Sequence, residues 1–232
     1  MKWNMLYILF AGLVFASCKK DNYPAPGASF TGRIVYKGEA INVSQQDVYF
    51  ELWESGWGKK TPINVAIAQD GSFSALLFDA DYQLIIPANQ GPFKTIKDAA
   101  THTDTMLLKL HGNTKLDIEV MPYYMIRQPQ FTAGNGRIQA TCQIEQIIQG
   151  ADARPIERVS LYVNRVQLTD GNLKMKWADL SGGSITDPSH ISLQTDIPTI
   201  VPAQDYVFAR IGVKIQGVED MVFSPVQKVA LK

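Results

Sequence analysis

Cysteine and histidine are scarce in this sequence, and neither sign of charge is in excess. The chain has 2 Cys and 3 His among 232 residues, and 22 Lys and Arg balance 22 Asp and Glu. A formal net charge of zero offers no basic surface, so we expect no binding to nucleic acid. The three histidines lack the ligand spacing of a zinc site, so we predict no metal and no other cofactor.

Motifs of nucleophilic catalysis are also missing. No G-x-S-x-G occurs, and residues 181–184, Ser-Gly-Gly-Ser, are typical of a flexible loop rather than of a hydrolase elbow. A glycosidase would need two carboxylates at a fixed separation, and nothing in the pattern of Asp and Glu singles out such a pair. We therefore predict that the protein is not an enzyme and has no catalytic residues.

The N-terminal segment has the pattern of an export signal. Lys2 supplies a positive charge, and residues 5–14 form an apolar run of ten that is too short to span a bilayer. Residues 15–18, Phe-Ala-Ser-Cys, resemble a lipobox, in which cleavage precedes the cysteine and its thiol is acylated. We expect residues 1–17 to be a signal peptide and Cys18 to carry the lipid anchor, with acyl chains such as palmitate. The alternative is an ordinary signal peptide or membrane anchor that happens to end in cysteine.

Residues 18–28 have the composition of a tether between the anchor and the folded body. Prolines at 24 and 26 and Gly27 favour an extended chain, and the charged residues 19–22 resemble the surface-export signal of Bacteroidetes lipoproteins. Acylation of Cys18 would leave Cys142 without a disulfide partner. Because Cys142 alternates with apolar residues, we interpret it as a buried core residue.

Apolar residues alternate with a period of two through the rest of the chain, and long helical spacing is missing. The pattern predicts an all-β fold of two tandem β-sandwich domains, which we place at residues 29–121 and 122–232 because the alternation stops at Pro122. Asp70-Gly71 and residues 111–113 each lie between two apolar runs, so we predict a β-hairpin at both places. A new alternation begins after residue 136.

Short motifs occur at residues 21–23 with Pro26, and then at 31–35, 89–93, 104–105, 112–114 and 120–123. Together they resemble the DUF3823 lipoproteins of Bacteroidetes. The resemblance implies an N-terminal transthyretin-like or carboxypeptidase-regulatory-like sandwich, an immunoglobulin-like C-terminal sandwich, and association with a SusC/SusD-type pair that imports polymers through the outer membrane. The family pattern carries an aromatic residue after Gly-Pro-Phe, where this chain has Lys94.

Aromatic residues are the candidates for a binding site, because the apolar faces of sugar rings stack on Trp and Tyr. Trp57 lies between two glycines, Trp53 lies on the polar face of its strand, and Trp177 lies near two lysines. Phe93 completes the set as part of the Gly-Pro-Phe loop. Each ring could instead close the rim of a sandwich. Thr105, after Asp104, resembles the O-glycosylation acceptor of this phylum.

Together these patterns predict a non-catalytic lipoprotein, anchored in the outer membrane and facing the cell surface. We expect it to bind a glycan or to serve as an accessory to a SusC/SusD-type uptake system. The alternative is a structural scaffold or adhesin-like protein that contacts another protein through an exposed sheet edge. Exposed tryptophans in one concave surface would favour the glycan hypothesis.

Overall fold

The computed structural model describes residues 24–56, 60–97 and 102–231, and its regular secondary structure is almost wholly strand. The predicted lipidation site Cys18, the signal segment, most of the tether and the candidate Trp57 lie outside the described residues. Within them, no helix is long and apolar enough to cross a bilayer. The predicted all-β, two-domain fold is confirmed.

The N-terminal domain packs a six-stranded sheet on a four-stranded sheet. In the first sheet β1 pairs with β2, β5, β9 and β10, and β10 pairs with β7; the second has the order β4-β3-β6-β8. Phe30 and Phe73 from the first sheet meet Phe50 from the second, with ring centroids 4.9 to 6.2 Å apart. The strands are β1 (Ala28–Tyr36), β2 (Glu39–Ala40), β3 (Tyr49–Glu54), β4 (Ile63–Ala66), β5 (Ser72–Leu77), β6 (Ala80–Ile85), β7 (Phe93–Thr95), β8 (Met106–Leu110), β9 (Thr114–Lys115) and β10 (Ile118–Pro122).

Both predicted hairpins are wrong, although the turns exist. The Asp70-Gly71 turn joins β4 to β5, but β4 pairs with β3 and β5 pairs with β1, so the chain crosses from one sheet to the other. The turn at residues 111–113 likewise joins β8, in the second sheet, to β9, in the first. Alternation shows which residues face a core, but both sheets face the same core, so alternation cannot show which strand is the neighbour.

The C-terminal domain packs a three-stranded sheet, β11-β12-β15, against a sheet in which β13 pairs with β14 and β16, and β16 with β17 and β18. A tight turn at Asn135-Gly136 joins β11 to β12, so a long strand precedes the point where the sequence pattern placed the new alternation. The strands are β11 (Tyr124–Gly134), β12 (Arg137–Gln146), β13 (Ile156–Asn164), β14 (Lys176–Ser181), β15 (Ile191–Asp196), β16 (Tyr206–Ile215), β17 (Val222–Phe223) and β18 (Gln227–Ala230).

Two further sequence interpretations concern this domain. Cys142 on β12 is buried, as expected, and burial raises the pKa of its thiol to about 12, which leaves the sulfur an inert part of the core. The expected flexible loop at residues 181–184 is instead a short 3-10 turn, Gly182–Ser184, pressed against β13. A Cβ at Gly182 would lie 1.8 Å from the carbonyl oxygen of Ile156, so the close approach requires glycine.

Candidate interdomain cleft

A cleft of about 530 Å³ opens where the two domains meet, and both contribute to its walls. Clefts between domains are preferred places for ligands, because side chains from two bodies converge there. Its lining residues are Ser44 and Asp47 from the N-terminal domain and Arg158, Tyr162, Gly171, Asn172, Lys174, Trp177, Asp179, Lys214, Glu219, Asp220 and Met221 from the C-terminal domain.

Trp177 is the exposed aromatic residue of this cleft. It lies on β14 directly opposite Tyr162 of β13, and 53% of its surface is accessible to solvent. The Nζ atom of Lys174 lies 5.2 Å from the centroid of the Trp177 rings and 5.9 Å from that of Tyr162. Tyr162 is buried and supports the lysine from beneath. The arrangement keeps a large indole at the cleft surface, beside a cation that can donate hydrogen bonds.

The charges around Trp177 nearly cancel. Three cationic side chains, Arg158, Lys174 and Lys214, line the cleft together with four carboxylates. Asp179 accepts a hydrogen bond from the buried hydroxyl of Ser160 at 2.6 Å, which orients that carboxylate. Such a mixture of donors and acceptors suits a ligand rich in hydroxyl groups more than a phosphate or a cation.

Two of these carboxylates hold their protons more tightly than a free aspartate does. Burial raises the pKa of Asp220, and the nearby charges of Glu219 and Asp47 add to the effect, although the Gly91 N–H donates to its Oδ2 at 2.7 Å. Burial also raises the pKa of Asp47, and Asp170 contributes in the same direction. Asp47 comes from one domain and Asp220 from the other, so the charge of Asp47 acts on Asp220 across the domain boundary.

Arg210 of β16 fixes the position of the cleft walls. Its guanidinium is fully buried, and burial lowers its pKa to about 9, against the opposing attraction of Asp170 and Asp70. The group therefore remains a cation at neutral pH, with Phe223 stacked 4.3 Å from its centre. It donates to four carbonyl oxygens, two of them in the N-terminal domain: Ser224 (2.9 Å), Thr169 (3.3 Å), Val43 (3.0 Å) and Gln69 (2.6 Å).

Other contacts between the domains surround this cation. The Phe223 N–H donates to the Asn42 carbonyl oxygen at 2.9 Å, which adds a short β-bridge between the two domains. The Gln45 N–H donates to the buried carboxylate of Asp170 at 3.3 Å, and the Lys94 Nζ lies 2.8 Å from Asp152. The cleft therefore lies at an interface that several hydrogen bonds and an ion pair hold together.

The remaining candidates from the sequence lie elsewhere. Trp53 is half-buried on the outer face of the second sheet, where its Nε1 donates to Glu51 at 2.8 Å, and it lines a separate depression of about 400 Å³ that includes Leu107. Phe93 is buried in the N-terminal core and has no exposed face. Thr105 is half-buried just before β8. The structure therefore brings none of these three together with Trp177.

Sequence reasoning missed the residues that the interface brings together. Asp47, Asp220 and Arg210 are far apart in the chain, and no local motif marks any of them. The one available signal is the charge of Arg210 near the middle of β16, a strand whose only other charged residue is Lys214 near its end. Among the described residues, no three His, Cys, Asp or Glu side chains are grouped so that they could hold a metal ion.

Both halves of the chain match family models. The model described as the N-terminal domain of a protein of unknown function, DUF3823, matches residues 28–121. The model of a domain of unknown function, DUF3823_C, matches residues 124–228. The chain belongs to the DUF3823 family. The membership of DUF3823 that the sequence motifs indicated is therefore confirmed, while the lipid anchor and the SusC/SusD association stay predictions. No curated protein matches the chain.

Solved structures of DUF3823 proteins share the whole fold. One from Bacteroides ovatus is 32% identical, with a TM-score of 0.76, and the match covers 88% of this chain and 100% of that one. One from Parabacteroides merdae is also 32% identical, with a TM-score of 0.75 and coverage of 90% and 100%. A Bacteroides uniformis structure that is provisionally named a carbohydrate binding protein is 19% identical, with a TM-score of 0.69 and coverage of 89% and 100%.

Proposed function

We propose that this DUF3823 protein is a non-catalytic carbohydrate-binding protein whose interdomain cleft binds a glycan on Trp177. The observation that carries the proposal is the half-exposed indole of Trp177 in a cleft whose polar groups come from both domains and nearly cancel in charge. The apolar face of a sugar ring stacks on an indole, and its hydroxyls exchange water for Asp, Asn and Lys side chains.

The provisional name of the Bacteroides uniformis structure points to carbohydrate binding for that protein. At 19% identity the two proteins share a fold, and the name alone does not carry over. The support in this chain comes from Trp177 and the cleft around it.

The test is gel electrophoresis of the chain from Asn22 onward through matrices that each contain one neutral polysaccharide. Stacking is worth on the order of 1 kcal/mol per ring, and 1.4 kcal/mol corresponds to a tenfold change in affinity. Trp177→Ala should therefore weaken binding to the polysaccharide that retards the wild type by roughly tenfold.

Trp53→Ala is the matched control, because it removes the same side chain from a different surface. We expect it to leave retardation unchanged. Equal retardation of Trp177→Ala and the wild type would refute the assignment to the cleft, and a loss confined to Trp53→Ala would move the site to the second sheet.

We further propose that the protein is a lipoprotein of the outer membrane, anchored through Cys18 and facing the cell surface beside a SusC/SusD-type importer. The lipobox-like residues 15–18 and the charged residues 19–22 support this placement. A glycan-binding body on a tether would raise the local concentration of polymer near an importer.

Replacement of Cys18 tests the anchor. Cys18→Ala should release most of the protein from the membrane fraction and abolish labelling by a fatty-acid analogue, because residues 5–14 are too short to span. Cys142→Ala is the control for loss of a thiol, and it should label as the wild type does. Persistent label in Cys18→Ala would contradict the lipoprotein assignment.

A further inference from the structure

The N-terminal sandwich is open along one side. Among the described residues, β4 is the first strand of its sheet and pairs only with β3, while β5 pairs only with β1 in the other sheet. The two strands line a groove of about 490 Å³ beside the Asp70-Gly71 turn. At the turn, the Ser72 N–H donates to the Asp70 carboxylate and the Ser72 carbonyl oxygen accepts from the Ala68 N–H. Beyond Ser72, each strand presents backbone N–H and C=O groups that pair with no other described strand to the same opening.

These two edges differ from the others in carrying no charge. β4 reads Ile-Asn-Val-Ala and β5 reads Ser-Phe-Ser-Ala-Leu-Leu. Within the described part of the chain, every other edge strand of four or more residues carries a charged side chain. Those residues are Lys109 on β8, Arg127 on β11, Lys176 and Asp179 on β14, Asp196 on β15 and Lys228 on β18.

Charge on an edge strand prevents unwanted pairing, because burying it against another strand is costly. The β4 and β5 edges lack this protection and also expose apolar side chains. Leu76 on β5 is 63% exposed, and Ile63 on β4 is 40% exposed. A free backbone edge is satisfied by another polypeptide strand, which supplies alternating donors and acceptors, and not by a glycan.

We propose that β5 pairs antiparallel with β5 of a second copy of this chain, so that the β1–β5 sheet continues through a twofold dimer. A second copy fits because it offers the same free edge, so that an uncharged β5 pairs with another uncharged β5. From Asn22 onward the chain has 19 Lys and Arg and 21 Asp and Glu, and a net charge of −2 leaves little long-range repulsion between copies. A symmetric contact of this kind closes on itself, which limits the assembly to a dimer.

Analytical ultracentrifugation of the chain from Asn22 onward, without any glycan, tests the proposal. That part of the chain contains every described strand of both sandwiches. We expect the wild type to shift from monomer to dimer between micromolar and millimolar concentration. Leu76→Lys should weaken dimerisation at least tenfold, because twofold pairing brings the two new charges close together across the contact.

Leu107→Lys is the matched control, since Leu107 is also an exposed leucine on an edge strand, 75% accessible, but β8 already carries Lys109. It should dimerise as the wild type does. Ser74→Lys, at another exposed position of β5, provides a second disrupting variant should Leu76→Lys fold poorly, as judged by circular dichroism. A wild type that stays monomeric throughout, or folded disrupting variants that dimerise normally, would overturn the proposal.

Discussion

Arg210 shows how a single side chain can hold two domains in register. Its guanidinium satisfies four buried carbonyl oxygens, and two of those belong to the N-terminal domain. The planar fork of arginine reaches acceptors in several directions at once, which an ammonium on a single stem cannot do. The hydrogen bonds of the buried Arg210 guanidinium therefore fix the two walls of the interdomain cleft relative to each other.

Replacement of this residue should be strongly destabilising. Arg210→Met leaves the carbonyl groups buried without donors and Asp170 without its cation, so we expect a loss of about 3–5 kcal/mol in the free energy of unfolding. Urea denaturation followed by circular dichroism measures it. Arg137→Met is the control, because Arg137 is exposed in a surface pair with Asp196 and should cost at most about 1 kcal/mol. Equal losses in the two variants would contradict the role given to Arg210.

The charge of Asp220 should lower the stability of the folded protein at neutral pH, and this effect should disappear in acid. Its pKa is raised in the folded state, so the folded chain binds this proton more tightly than the unfolded chain, and ionisation at neutral pH lowers stability. Asp220→Asn removes the charge and keeps an oxygen for the Gly91 N–H. We expect its melting temperature to exceed that of the wild type at pH 7.

The advantage of Asp220→Asn should shrink as the pH falls through the folded-state pKa of Asp220, since the wild type then becomes neutral too. Thermal unfolding of both proteins across this pH range measures the difference. A constant difference at all pH values, or a less stable variant at pH 7, would show that the charge of Asp220 is not the cause.

Among the candidate residues, the sequence could nominate Trp177 but could not show its setting. Two nearby lysines were the signal for the indole, and its role in binding stays a prediction. Asp47 and Asp220 become neighbours only because Arg210 and the Asn42–Phe223 bridge join domains that are distant in sequence. Phe93 looked like a loop aromatic, yet the tight Gly91 turn folds its ring into the core.

At the level of elements, the strands could be predicted and their partners could not. Period-two alternation indicated the core-facing residues of β1, β3, β12 and β16, because one face of each strand is buried. The crossings at Asp70-Gly71 and at residues 111–113 depend on which edge lies nearby, and that is a tertiary property. The same crossing leaves β4 and β5 each with one edge that pairs with no other described strand.

The Asp70-Gly71 crossing should depend on glycine for two reasons. Gly71 has φ of 81°, and a Cβ there would lie 2.4 Å from the Ile41 carbonyl oxygen. Gly38 has φ of 79° but nothing within 4 Å of its Cβ position, so it serves as a matched control. Gly38→Ala should lose about 1–2 kcal/mol from the left-handed backbone alone.

Gly71→Ala should lose about 1–3 kcal/mol more than Gly38→Ala, because the added methyl group must displace backbone as well. Chemical denaturation of the two variants compares them directly. Similar losses would mean that the backbone at Ile41 moves away easily and does not fix the crossing.

The whole molecule is organised as two sandwiches with one cleft at their junction, and residues 18–28 are predicted to tether it to a membrane. Composition and alternation were sufficient for the all-β class, and short motifs for the family. The cleft could not be foreseen, because it is formed by packing between domains rather than by any run of residues. Because the cleft lies beside the contacts of Arg210, its walls would already be held in place before a glycan binds.

We propose above that the cleft at this junction binds sugar on Trp177. The most direct measurement is a crystal structure of the chain from Asn22 onward with an oligosaccharide of the polysaccharide that retards it most. We expect a sugar ring stacked on the indole of Trp177, with its hydroxyl groups within hydrogen-bonding distance of cleft residues from both domains. An oligosaccharide bound at another surface, with the cleft around Trp177 occupied by solvent alone, would contradict it.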